Sequence, residues 1–442
     1  MKTPLSLVLA AAALFAAPLP ASARLSSTEQ AMLQTVDAEQ ERSVGLLEKL
    51  VNQNSGSLNL AGVEAVGKMM RAELEPLGFM VEWIPMKETG RAEHLVARHA
   101  GPSTSSGSGG KRLLLIGHLD TVFEPDSPFQ KWTRKGNDGE GPGAGDDKGG
   151  MVVMVAALRA MQAAGTLKDA NIEIVLTGDE EDTGDPVEIA RRDLIAAGKR
   201  ADVALDYEGL VTDGGKDMGS IARRSSGSWT LTAKARSGHS SGIFSDASGY
   251  GANYELIRIL DAFRRELREP KLTYNVGLIG GGGTATLDDG KIRLNATGKT
   301  NIIAETAVAR GDLRAIDQAQ IERTQATMRA IVAKSLPGAS ATVAFDEGGY
   351  PPMAETAGSR ALLGKLNAVN RDMGLPEMGE LDPVKRGAGD ISFVAADVDS
   401  LAGLGPASRG DHAPGETVDI ASIARQAKRA AILMSRLSAE RR

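Results

Sequence analysis

The chain reads as an α/β protein: a three-layer domain around a mostly parallel sheet, with a smaller α+β domain inserted into it. Three observations predict this. Residues 112–221 alternate apolar strand-like runs with helical stretches, the pattern of a parallel sheet covered on both faces. Near residue 222 the texture changes to period-two strands such as SWTLTAKAR, interleaved with two helices, as expected of a sheet with one wetter face. After residue 346 the α/β character returns, and 442 residues exceed what one hydrophobic core normally serves. The larger domain is therefore assigned to 24–221 and 347–442, and the inserted one to 222–346.

Taken in order, residues 1–23 resemble a secretory signal: one early Lys, an apolar stretch, then Ala21-Ser22-Ala23 as an A-x-A cleavage site. The mature chain would begin at Arg24, exported to the periplasm or the medium, with no membrane segment left after cleavage. Residues 26–52 and 60–77 carry apolar residues at helical spacing. GPSTSSGSGG, 101–110, reads as a hairpin loop between VARHA and LLLIG. LLLIG, IEIVLTG and DVALDYEG read as buried strands, with helices over MVVMVAALRAMQAAG and after Pro186. In the inserted domain SWTLTAKAR, VGLIGGGG, TAVARGDLRAI and ATVAFDE are strands, and GYGANYELIRILDAFRREL is the first helix. SLAGLG is a further buried strand, and a closing helix starts near residue 419.

Composition narrows the function. A formal charge of −6 without a basic cluster argues against nucleic acid or an acidic membrane as partner and favours a small soluble substrate. There is no cysteine, so disulfides and thiolate chemistry are excluded and any metal must use His, Asp and Glu.

Chemistry-bearing side chains collect at strand exits, where open α/β sheets bind ligands. RLLLIGHLDT delivers His118 and Asp120 two residues apart. GPGAGDDKGG places Asp146 and Asp147 just before a helix; it lacks the alternating acids of a calcium loop and the G-x-x-x-x-G-K-[ST] of a phosphate loop. IEIVLTGDEED ends in four acids that would repel one another unless a cation neutralised them. Of these, Glu180 and Glu181 can divide the work of proton transfer and metal binding, whereas Asp182 reads as solvated. DVALDYEG offers Asp206 and Glu208, and the loop after SLAGLG offers His412. Of the other histidines, His94 and His99 lack such a context and read as structural or surface residues, while His239 sits in a polar loop.

Together GHLDT, GAGDDKGG, GDEED, LDYEG and DHAPGE resemble, in order and spacing, the co-catalytic zinc metallopeptidase family of glutamate carboxypeptidase, aminoacylase and succinyl-diaminopimelate desuccinylase. The resemblance implies two Zn2+ per subunit bridged by Asp146, one ion completed by His118 and Glu208 and the other by Glu181 and His412. Co2+ or Mn2+ could use the same donors. It further implies that Asp120 fixes the imidazole of His118, that Glu180 is the general base, and that Glu208 rather than Asp206 is the ligand. The inserted domain would be a ferredoxin-like lid and dimerisation domain, with His239 of SGHSSG reaching a partner subunit's site to stabilise the oxyanion. Asn301 of KTNIIAE and Arg314 of GDLRAID would hold substrate. The expected activity is exported carboxypeptidase- or aminoacylase-type hydrolysis of a small peptide or N-acyl amino acid beside a free carboxylate, by a homodimer.

Two departures bear on specificity. RGAGDISF, 386–393, replaces a G-G-T-D run but keeps Asp390, and EGGYPPM, 347–353, lacks the Arg that glutamate-releasing members carry for the substrate carboxylate. Lys216 and Arg386 are the available substitutes, and glutamate specificity is not implied. A degenerate binding protein of this family is the alternative; the complete ligand set together with Glu180 argues against it.

Overall fold

The strands of the larger domain are apolar on both sides because each side meets its own core. In Arg112–His118, Leu113 and Leu115 enter one hydrophobic cluster while Leu114 and Ile116 enter another. The same alternation recurs in Asn171–Thr177, with Ile172, Ile174 and Leu176 on one face and Val175 on the other. Successive side chains of a strand point to opposite faces, so a doubly covered strand reads as a continuous apolar run. These residues belong to a computed structural model that describes 25–101 and 110–442. The signal assigned to 1–23 lies outside the described residues.

The central sheet has six strands in the order Met80–Ile84, His94–His99, Asn171–Thr177, Arg112–His118, Val203–Asp206, Ser400–Leu401. The last four are mutually parallel, and His94–His99 runs antiparallel to both its neighbours. Helices Ser27–Ala38, Gln40–Asn52, Leu60–Leu74, Lys148–Ala163, Ala357–Asp372 and Ile420–Ala439 cover one face. Helix Arg192–Arg200 and the turn Asp390–Phe393 cover the other, completing three layers. Lys148–Ala163 is buried nearly all round, between the sheet and four further helices, which is why its sequence lacks a polar face.

One expectation is corrected here. VARHA and LLLIG do not form a hairpin: strand Asn171–Thr177 lies between them and bonds to both. Two buried apolar strands each gain more from flanking the central strand than from pairing side by side, and a Gly/Ser-rich connection constrains neither choice. Residues 102–109 of that connection lie outside the described residues.

The second sheet is antiparallel throughout. Its strands run in the order Leu278–Gly282, Thr306–Arg314, Gly227–Ala235, Ala339–Phe345, with Thr273–Tyr274 also on Thr306–Arg314. With helices Gly251–Glu266 and Gln318–Val332 between strands, the chain order β-α-β-β-α-β is that of a ferredoxin-like fold. Its core is a separate cluster around Trp229, Phe263, Leu231 and Met328. Among the described residues no helix is long and apolar enough to cross a membrane.

Candidate metal centre and active site

Three adjacent parallel strands end at one cleft. Arg112–His118 delivers His118, Asn171–Thr177 leads into Glu180 and Glu181, and Val203–Asp206 leads into Glu208. Asp146 comes from the turn before helix Lys148–Ala163, and His412 from a loop turned by Gly410 and Gly415, both at positive φ. His412 itself is held at φ +65°, uncommon for a residue with a side chain and typical of functional turns. The cleft measures about 370 Å³ and is lined by Asp146, Glu180, Glu208, Arg386 and His412, among others.

Asp146 lies between the two histidines. Its Oδ1 is 3.0 Å from His118 Nε2 and its Oδ2 is 3.0 Å from His412 Nε2. His412 Nε2 is also 3.2 Å from Glu181 Oε2. Ligand atoms of His118, Asp146 and Glu181 fall within 4.8 Å of one another. Glu181 Oε1 and Glu208 Oε1 are each buried without any hydrogen-bond partner. Buried carboxylate oxygens are rarely left so, and a cation is the partner that satisfies both. Two imidazoles and three carboxylates, with no thiolate, suit zinc and leave cobalt or manganese possible on the same donors. The residues therefore fit a divalent metal centre.

The supports of this group are equally specific. Asp120 is fully buried; its Oδ1 accepts the backbone N–H of Glu180 at 3.0 Å and stands 3.3 Å from His118 Nδ1. Its Oδ2 accepts the N–H of Glu181 at 3.1 Å and the hydroxyl of Ser57 at 2.6 Å. The carboxylate thus fixes the Glu180-Glu181 backbone, and His118 Nδ1 meets it together with the Asp120 main-chain carbonyl, which is 3.1 Å away. Glu416 holds Asp146 from beneath, accepting the N–H groups of Gly145 at 2.7 Å, Asp146 at 3.0 Å and Gly143 at 3.0 Å. Glu208 keeps its Oε2 on Arg223 at 2.7 Å and Arg386 at 2.9 Å, leaving Oε1 free. Gly389 makes room for this: a Cβ there would lie 2.3 Å from Glu208 Oε1. Asp206 is committed to Arg223 at 3.1 Å, which leaves Glu208 as the acid facing the cleft.

Electrostatics separates the carboxylates. Burial and the neighbouring Glu208 push the Glu180 carboxyl well above the usual range, despite the opposing charge of His118. Burial also works to raise Asp146, yet hydrogen bonds from His118 and His412 hold it well below. Burial works likewise on Glu208, and Arg223 and Arg386 outweigh it, so this acid stays ionised. Burial raises the Glu181 carboxyl as well, against the hydrogen bond from His412, so Glu180 and Glu181 are both raised beside Asp146 and Glu208, which are held down.

The structure thus brings His118, Asp120, Asp146, Glu180, Glu181, Glu208 and His412 together. It places the other three elsewhere. His239 is exposed in the second domain, its Nδ1 2.8 Å from Ser241 Oγ. Asn301 is its neighbour across a short ladder, accepting Ser240 N–H at 2.9 Å through its main-chain carbonyl. Arg314 pairs with Asp312 at 3.1 Å within its own strand. His94, read as structural or surface, is buried against Asp179 at 3.1 Å. Sequence reasoning missed Ser57, Arg223 and Glu416 as supports; Glu416 stood inside a quoted motif, whereas Ser57 and Arg223 carry no local signal.

Residues 114–436 match the family described as peptidase family M20/M25/M40. Carboxypeptidase G2 of Pseudomonas sp. (strain RS-16) is 32% identical over 203 residues, 45% of this chain and 46% of that protein. Succinyl-diaminopimelate desuccinylase of Rhodospirillum centenum is 33% identical over 182 residues, 38% of this chain and 44% of that protein. The chain thus spans just under half the length of these relatives. Among solved structures, aminopeptidase PepT of Bacillus cereus superposes with a TM-score of 0.68 at 18% identity, covering 90% of this chain and 98% of that one. The Bacillus subtilis YXEP protein, described as a dinuclear metal-binding peptidase, gives 0.61 at 14% identity, covering 90% and 98%. These two likenesses concern the fold. The match over most of the chain places it in the M20/M25/M40 peptidase family.

Proposed function

We propose that the protein is an exported di-zinc hydrolase that cleaves the amide bond of a small peptide or N-acyl amino acid next to a free carboxylate. The observation that carries this reading is the Asp146 carboxylate shared between His118 and His412 at 3.0 Å each, beside two carboxylates with one unpartnered buried oxygen apiece. His118 and Glu208 would hold one ion, Glu181 and His412 the other, with Asp146 common to both. Bound there, the pair of ions supplies Lewis acidity to an amide carbonyl and to water.

The chain's own residues do the rest. Glu180 faces the cleft with a raised affinity for protons, suited to take one from the attacking water at its carboxylate and return it to the leaving nitrogen. Asp120 keeps the Glu180 and Glu181 backbones and the His118 ring in register. Arg386 and Lys385 line the cleft wall, paired with Glu208 at 2.9 Å and Asp213 at 2.7 Å, and would offer positive charge to a substrate carboxylate, whereas Arg314 is not among the residues lining the cleft.

Residues 222–346 are read as the lid and dimerisation domain. Exposed Tyr254 and Ile257 on helix Gly251–Glu266, and Ile279 on strand Leu278–Gly282, support a homodimer formed there. In such a dimer His239 and Asn301, neighbours on that domain, would serve the partner's cleft. Export rests on the 1–23 segment and is checked by finding Arg24 at the N-terminus of the mature protein.

The deciding experiment is Glu180→Gln on zinc-loaded protein, assayed over dipeptides, N-acetyl amino acids and folate-like glutamates. Metal content should be unchanged and kcat should fall about 10²- to 10⁴-fold, the span of general-base catalysis. A parent protein with two ions that hydrolyses none of these substrates, or a Glu180→Gln variant as active as the parent, would sink the proposal.

A further inference from the structure

We infer that Tyr350 is a positioning residue through which the hinge of the second domain holds the backbone of Glu180. This rests on the proposed role of Glu180 and extends it.

The two segments that join the domains run side by side. Arg223 N–H donates to Met353 O at 2.9 Å and Met353 N–H to Arg223 O at 3.0 Å. Ser226 and Tyr350 exchange a second pair, at 3.0 and 2.8 Å. Tyr350 is therefore part of the return connection, and its main chain moves with it.

Its side chain turns from this connection toward the main chain of Glu180. The phenol donates to the carbonyl oxygen of Glu180 at 2.8 Å. The phenolic oxygen of Tyr350 in turn accepts from Arg191 Nη2 at 2.9 Å and lies 2.8 Å from Thr183 Oγ1. Arg191, fully buried, is itself fixed by Asp179 at 2.6 Å and Asp390 at 2.7 Å, and Asp390 accepts from Thr177 at the strand end. The tyrosine ring packs edge-on against Phe393, with centroids 4.9 Å apart.

Glu180 is thus gripped on both peptide planes. Asp120 takes its N–H from within the larger domain, and Tyr350 takes its C=O from the hinge. The first hold is independent of where the second domain sits. The second is not: any rotation about the paired connections moves the phenol relative to the carbonyl. The motif EGGYPPM, where a substrate-binding Arg was sought, instead presents a group that acts on the backbone behind the carboxylate.

The test is Tyr350→Phe in the full-length, zinc-loaded protein, which keeps the ring on Phe393 and removes the hydroxyl. Amides of residues 180–183 should exchange with solvent faster, and kcat should fall roughly threefold to tenfold, the worth of one buried neutral hydrogen bond. KM and metal content should stay within about twofold. Phe393→Leu, which keeps the hydroxyl and alters only the packing on the ring, should change exchange and kcat clearly less than Tyr350→Phe does. Unchanged exchange in Tyr350→Phe, or equal losses in Phe393→Leu, would overturn the inference. Faster exchange in Tyr350→Phe with a parent that hydrolyses nothing would uphold the positioning role and overturn the hydrolase reading instead.

Discussion

Asp120→Asn isolates the support of the centre from the centre itself. The carboxylate accepts from Glu180 N–H at 3.0 Å, Glu181 N–H at 3.1 Å and Ser57 Oγ at 2.6 Å, and stands 3.3 Å from His118 Nδ1. An amide has one acceptor oxygen, so its NH2 must oppose either the Glu180 N–H or the Glu181 N–H together with the Ser57 hydroxyl. Leaving one such buried donor unpaired costs about 1–3 kcal/mol, and the charge assistance to the remaining bonds is also lost. If that cost falls on the geometry of Glu180 and Glu181, a factor of ten per 1.4 kcal/mol gives a kcat loss of about 5- to 150-fold. Comparable changes behind metal-binding histidines cost about 10- to 100-fold, in agreement. The assay is steady-state hydrolysis of the best substrate, with metal per chain measured by elemental analysis on the same sample. Ser57→Ala, which removes one donor and leaves the carboxylate intact, should cost only a few-fold. An Asp120→Asn variant within twofold of the parent in kcat at equal metal content would refute the reasoning.

Other outcomes follow from the same contacts. Arg386→Ala removes a cleft-wall charge and should raise KM for carboxylate-bearing substrates about tenfold, with a smaller effect on an amidated analogue; equal effects on both would assign Arg386 to Glu208 alone. Leu115→Ala deletes a fully buried side chain of the central strand and should destabilise by about 2–5 kcal/mol in urea unfolding. Asp202 ties the starts of two strands by accepting from Arg112 at 2.7, 2.8 and 3.1 Å; burial would raise its carboxyl, and the bonds from Arg112 lower it. A lowered folded-state pKa means stability that is present above the unfolded value of about 3.9 and lost as pH falls through the folded one. Asp202→Asn should therefore shift the urea midpoint at neutral pH and converge on the parent in strong acid. Chelation of the metal should lower the thermal midpoint, because ions bound to the native state alone stabilise it by mass action.

Much of the site was legible because its chemistry is written locally. A strand buried on both faces leaves a continuous apolar run, so its exit is easy to find, and His118, Glu180, Glu181 and Glu208 all stand within a few residues of such an exit. Asp146 and His412 stand out by their glycine-rich turns. The supports were not legible. Asp120 aside, they act on distant segments: Glu416 on the backbone of the 143–146 turn, Tyr350 on the backbone of Glu180, Arg223 on the carboxylate of Glu208.

By itself, then, the sequence determined the layered α/β architecture, the inserted second domain and the set of acids and imidazoles that share one cleft. Periodicity and residue type are local properties that survive in a linear string. Only the tertiary structure decided which strand separates VARHA from LLLIG, which oxygen of each carboxylate remains free, and which residues hold the pair Glu180-Glu181 in place. Those outcomes depend on contacts between segments far apart in the chain, where nothing in the neighbouring residues records the partner.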